Sequence, residues 1–485
     1  MNKFEFKIII VTVFLGSMLV AKAQQINKQY LIYNAQIVDV ISGKIKKEKS
    51  VLIDNGKIKA IGDYQNLKKN IQVSHIINAG NKFLIPGLWD MHIHLEGENL
   101  VEDNKALLPF FFTYGITTVR DCASDLGEQV LEWRNEVASG KLLAPTIFTA
   151  GIKLEGINSS WKGDYEIGNE EELNAALDKL DKKHVDFIKI TENTLKGPLF
   201  LKSIEEAHKR NYIVSGHVPT DLTLDEMVDA GFSSVEHSHY LLRQGCDEKT
   251  IVSDLKAGKI TKAQANVLYQ STFNQEKANE NYKNLGNKGL YVTPTLIGGR
   301  QAAFVDENNY PNDSLMASYL TKAYIKDYMS RIERSKNDKP EQIAERKKRY
   351  LFLQSQISYM HKAGIKIIAG SDAAPLNAFV FPGQSLIQEM VLFQQAGLSP
   401  IDVLRTSTIN GARFLKKDKN MGSVDIGKIA DLVLLDKNPL EDIHAVEHIS
   451  GVYTKGRFFD RKALNQILEN VKKTKTELDK KREVR

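Results

Sequence analysis

Hydrophobic and polar residues alternate in two rhythms along this chain. From Tyr30 to Phe83 the runs LIYNAQIVDV, KSVLIDNGKIKAIG and HIINAGNKF alternate residue by residue and break at Asn and Gly. A period of two with such breaks predicts short antiparallel strands joined by turns. The rhythm returns in MGSVDIGKIADLVLLD and GVYTKGRFF, so residues 24–83 and 416–460 are expected to build one small β-sandwich from both ends of the chain. Between them, over 84–415, short apolar runs take turns with helical stretches. The runs are FLIPGLWDMHIH, ITTVRDC, PTIFTAG, VDFIKI, YIVSGHV, SSVEHSHY, LYVTPTL and IKIIAGSD, with amphipathic segments such as NEEELNAALDKLDKK and LFLKSIEEAHKRN between them. Strand–helix alternation implies a parallel α/β sheet, and about eight units close a (β/α)8 TIM-like barrel. An open doubly wound sheet is the alternative, but no glycine-rich phosphate loop follows the first strand. Helical stretches at about 246–289 and 313–364 exceed what a crossover needs and are expected above the barrel mouth. The last segment, 461–485, mixes lysines with acids and reads as a solvated helix.

Composition adds limits. At 485 residues, with 42% hydrophobic and 26% charged positions, the chain is an ordinary globular one. Of its formal charge of +6, two units come from Lys3, Lys7 and Lys22 against Glu5. The remainder is too weak for a nucleic-acid partner, and no basic tract is interleaved with aromatics. Those early residues belong to MNKFEFKIIIVTVFLGSMLVAKAQQ, where a basic start precedes an apolar core from Ile8 to Val20 and then Ala21-Lys22-Ala23. This is the pattern of a secretory signal, residues 1–23, cut after Ala23. The core is short for a membrane span, so export to the periplasm or the medium is expected, with no stable span afterwards. An uncleaved anchor is the alternative. Cys122 and Cys246 are the only cysteines; they cannot form a disulfide framework, though one bond between them stays open.

Polar residues collect where the predicted strands end. In FLIPGLWDMHIHLEGE, alternation points His92 and His94 to one face with Asp90 behind them, while Met91, Ile93 and Leu95 take the other. Lys189 shares a face of VDFIKI with Phe187 and Thr191. His217 closes YIVSGHV, His237 lies in SSVEHSHY, and Asp372 ends IKIIAGSD. Barrel enzymes carry their sites at the C-terminal ends of the strands, so these six positions are expected to converge. Each has a bland reading: a rim histidine, a snorkelling lysine, an aspartate capping the next helix. Six such coincidences in one alternating pattern are harder to accept than one site.

The motifs PGLWDMHIH, GITTVRD, DFIKI, GHV…AGFSSVEHS and GSDA, with the closing TINGARFL and GSVDIGKIADLVLLD, resemble the amidohydrolase superfamily. Within it the chain looks like the metal-dependent dipeptidases and prolidases related to imidazolonepropionase. The resemblance covers nearly the whole chain after the leader. It implies two divalent metal ions, zinc by expectation, although these ligands also suit manganese, iron or cobalt. His92 and His94 would bind the buried ion. Lys189, as an N6-carboxylated side chain, would bridge both ions. His217 and His237 would bind the outer ion, and Asp372 would bind the first and carry the proton. An ammonium cannot ligate a cation, whereas a carbamate offers two anionic oxygens. Water between the metals would supply a hydroxide nucleophile near neutral pH.

Two departures bear on that reading. His239 makes HSH a second His-x-His and competes with His237, which EHS favours. Thr191-Glu192-Asn193 stands where relatives often have small residues. For a substrate carboxylate the candidates are Tyr240, Arg243 and Arg300, since Arg pairs with carboxylates in bidentate fashion; Arg120 is assigned to barrel structure. The leading expectation is an exported enzyme acting on a small-molecule substrate, hydrolysing an amide C–N bond in dipeptides or N-acyl amino acids. A cyclic amide or lactone hydrolase or a one-metal deaminase is the alternative, and a binding protein on a decayed frame is the non-enzymatic one. A homo-oligomer stays open, since the long helical insertion fits either a site cover or a subunit contact.

Overall fold

The computed structural model describes residues 29–69, 75–307, 313–333, 337–377 and 379–484. The expected leader and its cut after Ala23 lie outside the described residues. Among those residues no helix is long and apolar enough to cross a membrane.

Eight short parallel strands form the centre: Leu88–Ile93, Ile116–Asp121, Thr146–Thr149, Ile188–Ile190, Val214–Gly216, Phe232–Glu236, Tyr291–Thr293 and Lys366–Ile367. The first three pair in sequence, as do the last five. Asp186 N–H donates to the Thr149 carbonyl at 2.9 Å and joins the two runs on one side. On the other, Met91 N–H meets the Ala369 carbonyl and Asp372 N–H meets the His92 carbonyl, at 2.9 and 2.7 Å. The sheet is thereby closed into the expected barrel. Amphipathic helices such as Glu170–Lys182, capped by Asn169, and Gly197–Lys209 cover it, because their apolar faces fit the continuous apolar outer face of the strands.

The chain's ends share a second sheet. Its order is Arg457–Asp460, Ile449–Thr454, Leu432–Leu435, Phe83–Pro86, Tyr30–Asp39, Lys44–Asp54 and Lys57–Gly62, with His75–Asn78 also on Tyr30–Asp39. It is mixed rather than wholly antiparallel, since Tyr30–Asp39 pairs in parallel with both His75–Asn78 and Phe83–Pro86. The sheet curls until Ile58 N–H reaches the Lys428 carbonyl at 2.8 Å. The curl encloses a small core of Tyr30, Ile32, Val51, Ile53, Leu432 and Tyr453.

FLIPGLWDMHIH, expected as one strand, is two strands in two sheets. Phe83–Pro86 pairs with Leu432–Leu435, and Leu88–Ile93 belongs to the barrel. The switch is at Gly87, where any Cβ would lie 2.1 Å from Thr117 Oγ1. Only glycine lets the strands approach this closely while the chain changes sheets. Two three-residue strands, Leu154–Gly156 and Tyr165–Ile167, extend the sheet beside Ile188–Ile190 and were not expected, being too short for a visible period.

The expected insertions are helical. Glu248–Lys256, Lys262–Ser271 and Gln275–Asn287 form the first; Ser314–Tyr319, Lys322–Glu333 and Pro340–Lys362 form the second. The final helix, Arg461–Glu483, lies against the barrel, where Arg482 pairs with the buried Asp103 and Lys481 with Glu102. Cys122 and Cys246 are both free and buried in separate apolar clusters.

Candidate metal centre

The six residues expected to converge do so at the C-terminal mouth of the barrel. His92 Nε2 lies 3.2 Å from His94 Nε2, and the two are 3.3 and 3.4 Å from Asp372 Oδ1. Donors on the edges of a tetrahedron with metal–ligand bonds of 2.0–2.1 Å are about 3.3–3.4 Å apart. His92, His237 and Asp372 present donor atoms within 4.8 Å of one another. The His217 and His237 rings lie beside each other with centroids 5.0 Å apart. His92 is fully buried, whereas His94, His217 and His237 keep 18–22% of their side-chain surface. The cluster therefore has an inner and an outer side.

Each of the four imidazoles is oriented through Nδ1, and for His92 and His94 this turns Nε2 toward Asp372. His92 Nδ1 meets Glu236 Oε2 at 2.7 Å, His94 Nδ1 the Ala123 carbonyl at 2.6 Å, His217 Nδ1 Glu192 Oε2 at 2.8 Å, and His237 Nδ1 Thr295 Oγ1 at 2.7 Å. Such partners fix the tautomer and ring angle of metal-binding imidazoles. Lys189 is buried, and its Nζ has no hydrogen-bond partner. An orphaned ammonium among imidazoles is costly, and conversion to a carbamate removes that cost. The donor set thus fits a divalent cation held by His92, His237 and Asp372.

The electrostatics agree. Burial pushes His92 down to about 4, helped by Lys189, so its imidazole is neutral with a free lone pair. Burial likewise holds His237 well below its usual value. Burial alone would raise Asp372, but His92, His94 and His237 outweigh it and hold the carboxylate far below its ordinary range. Burial would also raise Glu192; the His217 imidazole and Tyr240 hydroxyl prevail and hold it at about 2.

Several neighbours not assigned to the site from the sequence support it. Arg120, read as a barrel residue, donates from Nη2 to both oxygens of Glu236 at 2.8 Å, with neither side chain exposed. Asp90 accepts from Ser371 N and Oγ at 2.9 and 2.6 Å, pinning the first strand to the segment that carries Asp372. The alternation of acids and bases inside a barrel was the available signal, since Arg120, Asp90 and Glu236 all lie within apolar strands. Strand alternation failed at one place: the sixth strand stops at Glu236 and Ser238–Gly245 winds as a 3₁₀ turn. His239 thereby lies at the outer edge of the cluster, lining the cavity, with its ring stacked 6.1 Å from that of His237 and tilted against Tyr240 at 4.1 Å.

A cavity of about 920 Å³ opens over the cluster, lined by His94, Lys189, His217, His237 and Asp372 and rimmed by Trp161 and Lys162. Of the residues expected to read a substrate carboxylate, none reaches its lining. Tyr240 donates to Glu192 at 2.6 Å. Arg243 is buried behind the wall on the Pro219 and Leu222 carbonyls and Glu248. Arg300 lies over Phe304.

The family model described as "Amidohydrolase family" matches residues 83–459, most of the chain. The chain belongs to the amidohydrolase family. This amidohydrolase is 21% identical over 472 residues to an ochratoxinase from Aspergillus niger, covering 86% of this chain and 84% of that one. It is 28% identical over 242 residues to an adenine deaminase from Listeria welshimeri serovar 6b, 47% of this chain but only 37% of the deaminase. The match therefore spans little more than a third of that curated relative. Among solved structures, a Xaa-Pro dipeptidase with bound methionine shares the fold at a TM-score of 0.65 and 21% identity, over 89% of this chain and 100% of that one. A "putative prolidase" from Bifidobacterium longum does so at 0.63 and 20%, over 92% and 99%.

Proposed function

We propose that this amidohydrolase is an exported two-metal hydrolase of an amide C–N bond, with dipeptides or N-acyl amino acids as substrates. The observation that carries the reading is the buried, partnerless Nζ of Lys189 inside a ring of four histidines and an aspartate. As a carbamate, Lys189 would join His92, His94 and Asp372 around an inner ion and His217 and His237 around an outer one, with zinc the first choice. When bound, such ions supply an activated water and polarise the scissile carbonyl.

The chain's own groups do the rest. Asp372, in contact with both His92 and His94, takes the proton of the attacking water and returns it to the leaving nitrogen. Glu236, Ala123, Glu192 and Thr295 keep the four imidazoles aimed inward. The rim Lys162 offers a cation to the carboxylate of the leaving amino acid. The basic, apolar and Ala-Lys-Ala pattern of residues 1–23 supports export to the periplasm or the medium.

A second reading is favoured by similarity to adenine deaminases and to a dihydroorotase from Carboxydothermus hydrogenoformans, 26% identical over 312 residues. It makes the substrate a cyclic amide or an aminated ring. Amine release from dipeptides and N-acyl amino acids, using leaderless protein given zinc and bicarbonate beside a chelated sample, separates the two. Chelator-sensitive release from any of these compounds supports the first reading. Retained metal without release turns the assignment to cyclic substrates.

A further inference from the structure

The cavity over the metal centre has an acidic wall. Glu96 lies two residues beyond His94 and lines the cavity together with Asp125 and Asp327. Asp125 is spent on structure: its two oxygens accept from Gly97 and Glu98 N–H at 2.9 and 3.1 Å, which fixes the loop bearing Glu96. The Glu96 carboxyl accepts one hydrogen bond, from Leu376 N–H at 3.3 Å, and among the described residues no lysine or arginine pairs with it. Lys153, which also lines the cavity, is engaged with Asp164 and the Trp161 ring. A half-buried carboxyl held at a cavity wall, with only the His94 imidazole as a basic neighbour and no described lysine or arginine on it, is placed to accept a ligand ammonium.

Its place suggests which one. In an aminoacyl compound the α-nitrogen is one carbon removed from the carbonyl under attack, so a group reading it must stand beside the metal ligands on the acyl side. Glu96, two residues beyond His94 and lining the same cavity, is placed to take that role. An N-acyl amino acid carries carbon at that point and leaves the carboxylate unpaired.

We propose that Glu96 is the subsite for the free α-ammonium group of the substrate, so that unblocked dipeptides are preferred over N-acyl amino acids without an amine. The proposal rests on the amide-hydrolase reading and narrows it. It is tested with alanyl-proline and propionyl-proline, which differ only in the amine, on zinc-loaded parent, Glu96→Gln and Glu96→Asp. In parallel, calorimetry measures binding of two phosphonamidates of proline, one bearing a 1-aminoethyl and one an ethyl group on phosphorus.

The parent is expected to favour the amine about tenfold to a hundredfold in kcat/KM and in binding, as for a charge-assisted hydrogen bond. In Glu96→Gln that ratio falls to near one, while Glu96→Asp keeps part of it. Equal treatment of the two compounds by the parent overturns the proposal. So does a Glu96→Gln protein that keeps the preference. If Glu96→Gln does not fold, an Asp variant with the parent's full ratio and a parent ratio near one both overturn it. If neither compound is hydrolysed but the aminoethyl ligand still binds more tightly, the subsite stands and the hydrolase reading falls. If neither ligand binds, the proposal falls.

Discussion

Glu236→Gln tests whether the inner histidine is held by a buried ion pair. The Glu236 carboxylate accepts from Arg120 Nη2 on both oxygens at 2.8 Å and from His92 Nδ1 at 2.7 Å, and neither Arg120 nor Glu236 is exposed. Arg120 and His92 outweigh burial and hold Glu236 well below the usual carboxylate range, so it is an acceptor only and His92 Nδ1 carries the proton. The remaining Arg120 contacts carry no negative charge: Nε to the Met91 carbonyl at 2.5 Å, Nη2 to Thr293 Oγ1 at 3.2 Å, and the Phe187 and Phe414 ring faces at 5.1 Å. Guanidinium keeps its charge at any working pH. A neutral side chain at 236 therefore leaves a cation buried among dipoles, a loss of about 3–5 kcal/mol. Replacing both partners, Arg120→Met with Glu236→Met, removes the orphaned charge and is expected to restore stability to within about 1–2 kcal/mol of the parent. Metal affinity is not expected to return, because His92 Nδ1 then has no acceptor and its ring is free to turn; a loss of about tenfold to a hundredfold follows. Urea unfolding of the metal-free protein gives the first quantity and competition with a chromophoric chelator the second. A double variant that binds metal as tightly as the parent, or is less stable than Glu236→Gln, refutes the reasoning.

On the proposed two-metal reading, Lys189→Ala is expected to lower metal content to one ion per chain or fewer by elemental analysis, whereas content equal to the parent's would remove the lysine from the site. Gly370→Ala places a Cβ 2.6 Å from His92 Cβ and 2.8 Å from His92 N, so the eighth strand must move off the first. A stability loss of about 1–3 kcal/mol should come with lower metal affinity, since Asp372 follows two residues later; a melt and affinity equal to the parent's would contradict this. Burial pushes Glu389 up to about 8, against the two N–H groups of Leu296 and Ile297 that it accepts at 2.9 and 2.7 Å. Between the ordinary glutamate value of about 4.3 and that figure the folded chain holds a proton that the unfolded chain has lost. This stabilisation is full below about 4.3 and lost as pH rises through about 8. Glu389→Gln does not titrate, so its melting temperature should gain on the parent's between pH 5 and 9; a constant difference would count against the shift.

Much of this architecture was legible because it follows from periodicity. Alternation with Asn and Gly breaks marked both halves of the terminal sheet, and strand–helix alternation marked the barrel. Strand ends located His92, His94, Lys189, His217, His237 and Asp372 from the sequence alone. What stayed hidden has local causes. The handover at Gly87 depends on a contact with Thr117, a residue of another strand. Arg243 looked like a free cation in a loop, but its guanidinium stacks on Tyr269 at 4.5 Å and caps two carbonyls. Glu192, noted only as a departure, became the partner that fixes both His217 and Tyr240.

The least legible feature is backbone conformation, and it carries the site's precision. Ala123, His237, Thr295 and Asp372 all have positive φ, at 75°, 71°, 50° and 60°. None is a glycine, so each costs on the order of 1–3 kcal/mol. Each also bears directly on the metal cluster. The Ala123 carbonyl and the Thr295 hydroxyl orient His94 and His237, while His237 and Asp372 are donors themselves. A strand that continued through Glu236 would aim residue 237 along the barrel wall. The break at His237 turns the imidazole across the mouth, where its ring lies 5.0 Å from that of His92. Alternation can place a residue at a strand end but cannot say that the strand ends there by force. Four strained residues meet at one cluster, beside the buried pairs Arg120–Glu236 and Asp90–Ser371. The barrel core thus supplies the rigidity, and the strained strand ends convert it into ligand geometry.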